Sequence, residues 1–268
     1  MHKCLWPALA GLFLSAAAIA TAEPDFSAFS RDDALAYSQA VIGNSLENVE
    51  LVTSEGLPVS LADYRGKPLV ISMIFTSCHH ICPTTTQHLD QVVKKARDAL
   101  DEDSFRVVTV GFDTPNDHPQ RMASFRDSNG VTDTRWDFLS ADEENIRSLT
   151  RQLGFIYMPS PRGFDHLIQS SIIDAQGKVY RQVYGITFPT PKLIEPLKQL
   201  VFGEPASPST LDYLENRIRL FCTVYDPATD SYHIDISVFI GTFVGLIVSI
   251  IFARALIIEW RRSIKANR

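Results

Sequence analysis

Leu69 to Phe75 is a near-continuous apolar run of strand length, and a strand without a polar face must be covered on both sides. That requirement points to a central sheet lying between helices. The rest of the segment agrees. Pro83 suits the first turn of a helix, and Leu89, Val92, Val93, Ala96 and Leu100 recur at helical spacing through Thr84–Leu100. Phe105–Phe112 reads as a second strand, followed by a turn at Asp113-Thr114-Pro115 and a helix from His118 to Asp127. Trp136–Leu139 reads as a third strand, and Asp142–Leu153 as a helix with acidic residues in its first turn. After a loop rich in Pro and Gly, strands at Ile168–Ile173 and Val179–Tyr184 flank Asp174-Ala175-Gln176-Gly177, a hairpin signal, and a helix at Pro191–Phe202 closes the unit. Upstream, Leu51-Val52 and Leu57–Leu61 flank Ser54-Glu55-Gly56 as a small hairpin. The expected fold class is α/β, with a central mixed sheet flanked by helices and one further helix, membrane-spanning, near the C-terminus.

Both ends carry membrane signals. Lys3, the apolar stretch Leu5–Ile19 and Ala20-Thr21-Ala22 have the layout of a cleavable secretory signal over residues 1–22, giving a mature start at Glu23; an uncleaved anchor is the rival reading. Cys4 leaves with that signal, so Cys78, Cys82 and Cys222 remain. Residues 23–48, polar with scattered apolar positions, read as an N-terminal arm, either a short helix or an ordered segment, and residues 49–203 as the globular domain. In the linker at 204–233, Leu211, Leu214, Ile218, Phe221, Cys222 and Tyr225 recur at the spacing of an amphipathic helix. Residues 234–258 are expected to span a bilayer, with Arg254 snorkelling and with Tyr232 and Trp260 as interfacial aromatics. The basic tail at 259–268 then lies in the cytoplasm, which places the domain in the periplasm of a bacterial inner membrane. A net charge of -6, with no basic run before the extreme C-terminus, argues against a nucleic-acid partner.

The chemistry concentrates in Thr76-Ser77-Cys78-His79-His80-Ile81-Cys82-Pro83, where two thiols lie in a loop feeding a helix N-terminus. Unpaired backbone N–H groups and the helix dipole favour thiolates there, and Pro83 is expected to hold Cys82 outside the helix, at its mouth. Close thiolates bind copper(I) or exchange with a disulfide. A plain structural disulfide is a further reading, although a bridge over three intervening residues restrains little unfolded-state entropy. Closed zinc sites want four ligands. His79 and His80 read as solvent-facing loop residues or as additional ligands. Cys222 reads as a buried small hydrophobe or as a partner in an intermolecular disulfide.

The loop resembles the cysteine motif of the Sco/SenC copper proteins, which assemble cytochrome c oxidase. Two further elements of that family follow in order: Asp113-Thr114-Pro115-Asn116-Asp117, and Asp165-His166 before the hairpin. The resemblance covers roughly residues 50–202. It implies a thioredoxin-like fold in which Cys78, Cys82 and His166 bind one copper ion as Cu(I) or Cu(II). It also implies that the domain supplies copper to the binuclear site of an oxidase subunit, or prepares the cysteines of that site, without turnover of its own. Leu167 stands where the family commonly has a serine. Asp113 and Asp117 read as helix-capping and turn residues. Two other functions stay open: a membrane-anchored thiol-disulfide oxidoreductase cycling Cys78 and Cys82, which has no need of His166, and a thiol peroxidase on the same fold, for which the Thr84–Thr86 run is the sole hint.

Overall fold

All six residues of β3 (Leu69–Ile74) are buried, as an apolar strand requires. It pairs in parallel with β4 (Arg106–Gly111) and antiparallel with β8 (Gln169–Ile173). These are interior strands of a seven-stranded mixed sheet whose order is β2-β1-β5-β4-β3-β8-β9. The remaining members are β1 (Glu50–Thr53), β2 (Pro58–Ser60), β5 (Trp136–Ser140) and β9 (Val179–Tyr184). The helices are α1 (Arg31–Ala40), α2 (Ile81–Leu100), α3 (Pro119–Ser128), α4 (Glu143–Gln152) and α5 (Pro191–Gly203). This computed structural model describes residues 29–203, 223–227, 229–234 and 237–266. The expected signal segment and most of the linker, Cys222 included, lie outside the described residues.

Because β3 and β4 are parallel, they finish at the same end of the sheet, where β8 begins and β9 ends. Four connections gather at that end. They are the β3–α2 loop with both cysteines, the β4–α3 turn with Asp113 and Asp117, the segment before β8 with His166, and the β9–α5 loop. Ligand sites of open α/β sheets form at such strand ends.

Several expectations need correction. Cys82 lies inside the first turn of α2, which begins at Ile81. Pro83 is tolerated there because the first four N–H groups of a helix have no intrahelical partner to lose. The loop rich in Pro and Gly contains a hairpin, β6 (Tyr157–Ser160) with β7 (Gly163–His166), forming a small sheet of its own. Pro159 and Pro161 disguise it: the first is tolerated on a short strand outside the main ladder, and the second lies in the turn between the two strands. The arm is not separate from the domain. Val41 and Leu46 enter its core, and the Ser38 hydroxyl lies 2.9 Å from that of Tyr184.

Helical periodicity in the linker extends to Tyr225, yet β10 (Thr223–Asp226) pairs with β11 (Ser231–Ile234) as a hairpin. Tyr232, expected at a membrane interface, packs instead against the domain core. The expected membrane-spanning segment falls on α6 (Ser237–Ala266), along which Ile240, Phe243, Leu246, Ile250 and Phe252 are exposed. Among the described residues, no helix is long and apolar enough to cross a membrane.

Candidate metal and thiol site

Chain reversal at Thr76–His80 places Cys78 half-buried above the first turn of α2, and the Cys82 N–H donates to Cys78 Sγ at 3.3 Å. Both cysteines are free thiols. The Cys78 thiol is lowered to about 5, first by the hydrogen bond from the Cys82 thiol. Backbone N–H groups of Cys82, His80 and Ile81 add to this, against the opposing cost of burial. Cys82 moves the other way. It is 3% exposed and is pushed up because its proton serves Cys78 and because burial disfavours its charge. At neutral pH the pair therefore holds one proton, on the inner sulfur, and presents one thiolate outward. In the reduced protein, the first alkylation by iodoacetamide is expected to show a half-maximal rate near pH 5 and to label Cys78. A first label on Cys82, or a midpoint near pH 8.5, would contradict this arrangement.

A buried carboxylate ties this loop to the next strand end. Asp117 is 1% exposed. Its Oδ1 accepts the Thr76 N–H at 2.8 Å and the Thr76 hydroxyl at 2.7 Å, while Oδ2 accepts the Asp113 N–H at 2.9 Å. Burial raises its pKa against these hydrogen bonds, and its charge helps hold Cys82 protonated. The fit explains Gly111: a Cβ there would stand 2.4 Å from Asp117 Cβ. The sequence reading of Asp113 and Asp117 holds for the turn, since Asp113 O accepts the N–H groups of Asn116 and Asp117. It fails for capping, because the residue at the N-terminus of α3 is His118. The positioning role of Asp117 was missed, and its only signal was an acidic residue one turn beyond a glycine-ended strand.

His166 closes β7 among aromatic rings. Its ring centroid lies 5.3 Å from that of Phe155, 5.4 Å from Phe112 and 6.1 Å from Phe75. Nδ1 lies 2.8 Å from the Leu167 carbonyl oxygen. A carbonyl only accepts, so Nδ1 carries a proton and the Nε2 lone pair is the one free for a metal. The partner is main chain, so Leu167 serves as well as a serine for this bond. Burial lowers the His166 pKa, opposed in part by the Cys78 charge, which keeps the imidazole neutral and ligand-ready. The hairpin is seated by Phe164 on Phe75, edge to face at 5.3 Å. At its tip, Gly163 has a φ of +110°, and a Cβ there would press on the Phe75 ring at 2.8 Å.

The structure thus brings Cys78 and Cys82 together, with His166 near enough to feel the Cys78 charge. Among the described residues, no three His, Cys, Asp or Glu side chains form a ready metal cluster. The donor chemistry nonetheless suits a soft ion: two sulfurs and a neutral imidazole, each with part of its surroundings already ordered. His79 and His80 are exposed on the turn.

A family model for SCO1/SenC matches residues 43–201. The SCO1 protein homolog of Bacillus subtilis (strain 168) is 26% identical over 136 residues, spanning 49% of this chain and 69% of that protein. A crystal structure from Aquifex aeolicus VF5 superposes with a TM-score of 0.56 at 25% identity, covering 61% of this chain and 96% of that one. BsSco, described as a member of the Sco family of cytochrome c oxidase assembly proteins with a disulfide switch, gives a TM-score of 0.53 at 23% identity, covering 59% and 93%. Motif, fold and family match coincide on the same residues, and the chain belongs to the SCO1/SenC family.

Proposed function

We propose that this protein is a membrane-tethered copper carrier for oxidase assembly. Cys78, Cys82 and His166 hold one copper ion as cargo and pass it to the binuclear copper site of a cytochrome c oxidase subunit, or prepare that site's cysteines. The observation that carries this reading is the prepared donor set: one outward thiolate, a second sulfur hydrogen-bonded to it, and an imidazole with Nε2 free. Two sulfurs favour copper(I), and the added imidazole makes copper(II) tenable. Binding releases the Cys82 proton, because only the thiolate is a ligand. Since His166 sits on a hairpin outside the main ladder, its approach breaks no main-sheet hydrogen bond.

The reading extends to location. The domain faces the periplasm of a bacterial inner membrane, held at the lipid by α6, whose exposed apolar side chains support contact with a lipid surface. Titration of the reduced full-length protein in detergent with copper(I), against a chromophoric competitor, is expected to give one ion per chain. Loss of that binding in Cys78→Ser and in Cys82→Ser is expected; tight binding that survives both would overturn the proposal.

A second reading, thiol-disulfide exchange, is favoured by the unequal cysteines. The Cys78 thiolate attacks one sulfur of a client disulfide and expels the other as thiolate. Cys82 then gives up its proton and attacks Cys78 Sγ, releasing the reduced client. Two electrons leave the pair, which ends as a Cys78–Cys82 disulfide. Copper delivery and client reduction use the same two sulfurs, so one molecule can perform them in turn.

A further inference from the structure

Far from the thiol loop, a second set of contacts folds the chain back onto the domain just before α6. The turn between β10 and β11 carries Asp230, with a φ of +45°. Its carboxylate pairs with Lys95 of α2, accepts the Tyr225 hydroxyl at 2.8 Å, and is hydrogen-bonded by Thr190 at the head of α5. Further along, the Tyr232 hydroxyl donates to Glu195 at 3.0 Å, while its ring packs on the core and 5.3 Å from that of Tyr225. A surface ion pair alone restrains little. Here it is joined by a partly buried aromatic and by two further hydrogen bonds from the hairpin to the domain, at Thr190 and Glu195.

The direction of the hairpin matters. β9 ends where the thiol loop lies, so α5 starts at that end and runs away from it. The contacts move the same way, from Thr190 before α5 to Glu195 within it, as β11 runs from Ser231 to Ile234. α6 then starts at Ser237. With so short a connection, the head of α6 cannot swing round to the thiol end while the hairpin stays seated.

We propose that the β10–β11 hairpin is a strap that fixes the domain on α6, with the thiol end pointing away from the lipid surface and toward a partner standing above it. This rests on reading α6 as the tether. A carrier on a free linker would sample every orientation; one held this way presents Cys78 and His166 at a set height, raising their effective concentration at a partner of matching height.

The test uses the full-length chain in vesicles of phosphatidylcholine and phosphatidylglycerol. A donor dye replaces the exposed Arg162 at the tip of the β6–β7 hairpin, with an acceptor dye on the lipid headgroups. Weak energy transfer is expected in the native chain, rising at least twofold in Lys95→Ala with Glu195→Ala and in Asp230→Ala with Tyr232→Phe. Equal transfer in native and variant chains that float with the vesicles would overturn the strap. Should Asp230→Ala with Tyr232→Phe misfold, Lys95→Ala with Glu195→Ala decides, because both change partly exposed side chains on helices otherwise intact. Failure of the native chain to float overturns the tether reading instead.

Discussion

His166→Ala is expected to leave copper(I) binding within about tenfold of the native protein while weakening copper(II) by two to three decades, about 3–4 kcal/mol. The asymmetry follows from ligand softness. Two sulfurs satisfy copper(I) at low coordination number, whereas copper(II) needs the nitrogen. Part of the loss comes from the Leu167 carbonyl, which fixes the proton on Nδ1 at 2.8 Å and frees Nε2. An orienting partner of this kind contributes about 10- to 100-fold by itself. His166→Gln is expected to recover little, because its amide is a poor ligand for either ion. Competition titrations in both redox states check this, with the copper(II) visible spectrum reporting loss of the nitrogen ligand. An unchanged copper(II) affinity would detach His166 from the metal and leave thiol exchange as the better account.

The second large effect lies at Asp117, which touches neither sulfur. Asp117→Ala removes the acceptor for Thr76 N–H, Thr76 hydroxyl and Asp113 N–H together. Orphaned buried donors cost about 1–3 kcal/mol each, so a loss of about 3 kcal/mol is expected even after partial hydration. For a domain of this size that is a fall of about 6–12 °C in Tm. Asp117→Asn is expected to fall between, since its carbonyl can still serve Thr76 while its amide opposes the Asp113 N–H.

The pH dependence has a definite sign. Burial raises the Asp117 pKa above its unfolded value, so the folded state takes up a proton first as pH falls. Its contribution is full below the unfolded pKa and declines as pH rises through the folded one. The stability gap between native protein and Asp117→Asn is therefore expected to be wider just above pH 4 than at pH 7, opposite to an ordinary salt-bridged aspartate. Urea denaturation at the two pH values measures it. As a positioning residue, Asp117 is also expected to tune the thiols. Without its charge Cys82 ionises more readily, so alkylation of Cys82 at pH 8 speeds up, an effect that loss of packing in a distant core position would not produce.

How much of this was legible beforehand follows from the range over which each cause acts. β3 and α2 were readable because an apolar strand and a 3.6-residue periodicity are properties of short windows. Their junction named the thiol loop. Within it, the position of Cys82 was misread, because the restriction that Pro83 imposes on its predecessor yielded to a helix start that loses no hydrogen bond. The β6–β7 hairpin was invisible for a different reason. Its strands are held by Phe164 and Tyr157 packing on Phe75 and Phe112, partners far away in the chain, rather than by any local pattern. The β10–β11 hairpin likewise owes its place to Lys95, Thr190 and Glu195.

Local order in the chain was enough to determine a sheet between helices, two cysteines at a helix mouth and the family's ordered motif set, since each depends on neighbours a few positions apart. Only the folded molecule decided which cysteine ionises, which nitrogen of His166 is free, and that Asp117 joins two loops. Those outcomes depend on burial and on hydrogen bonds between segments that meet only when the strands align, and desolvation is a property of the finished interior rather than of any stretch of sequence.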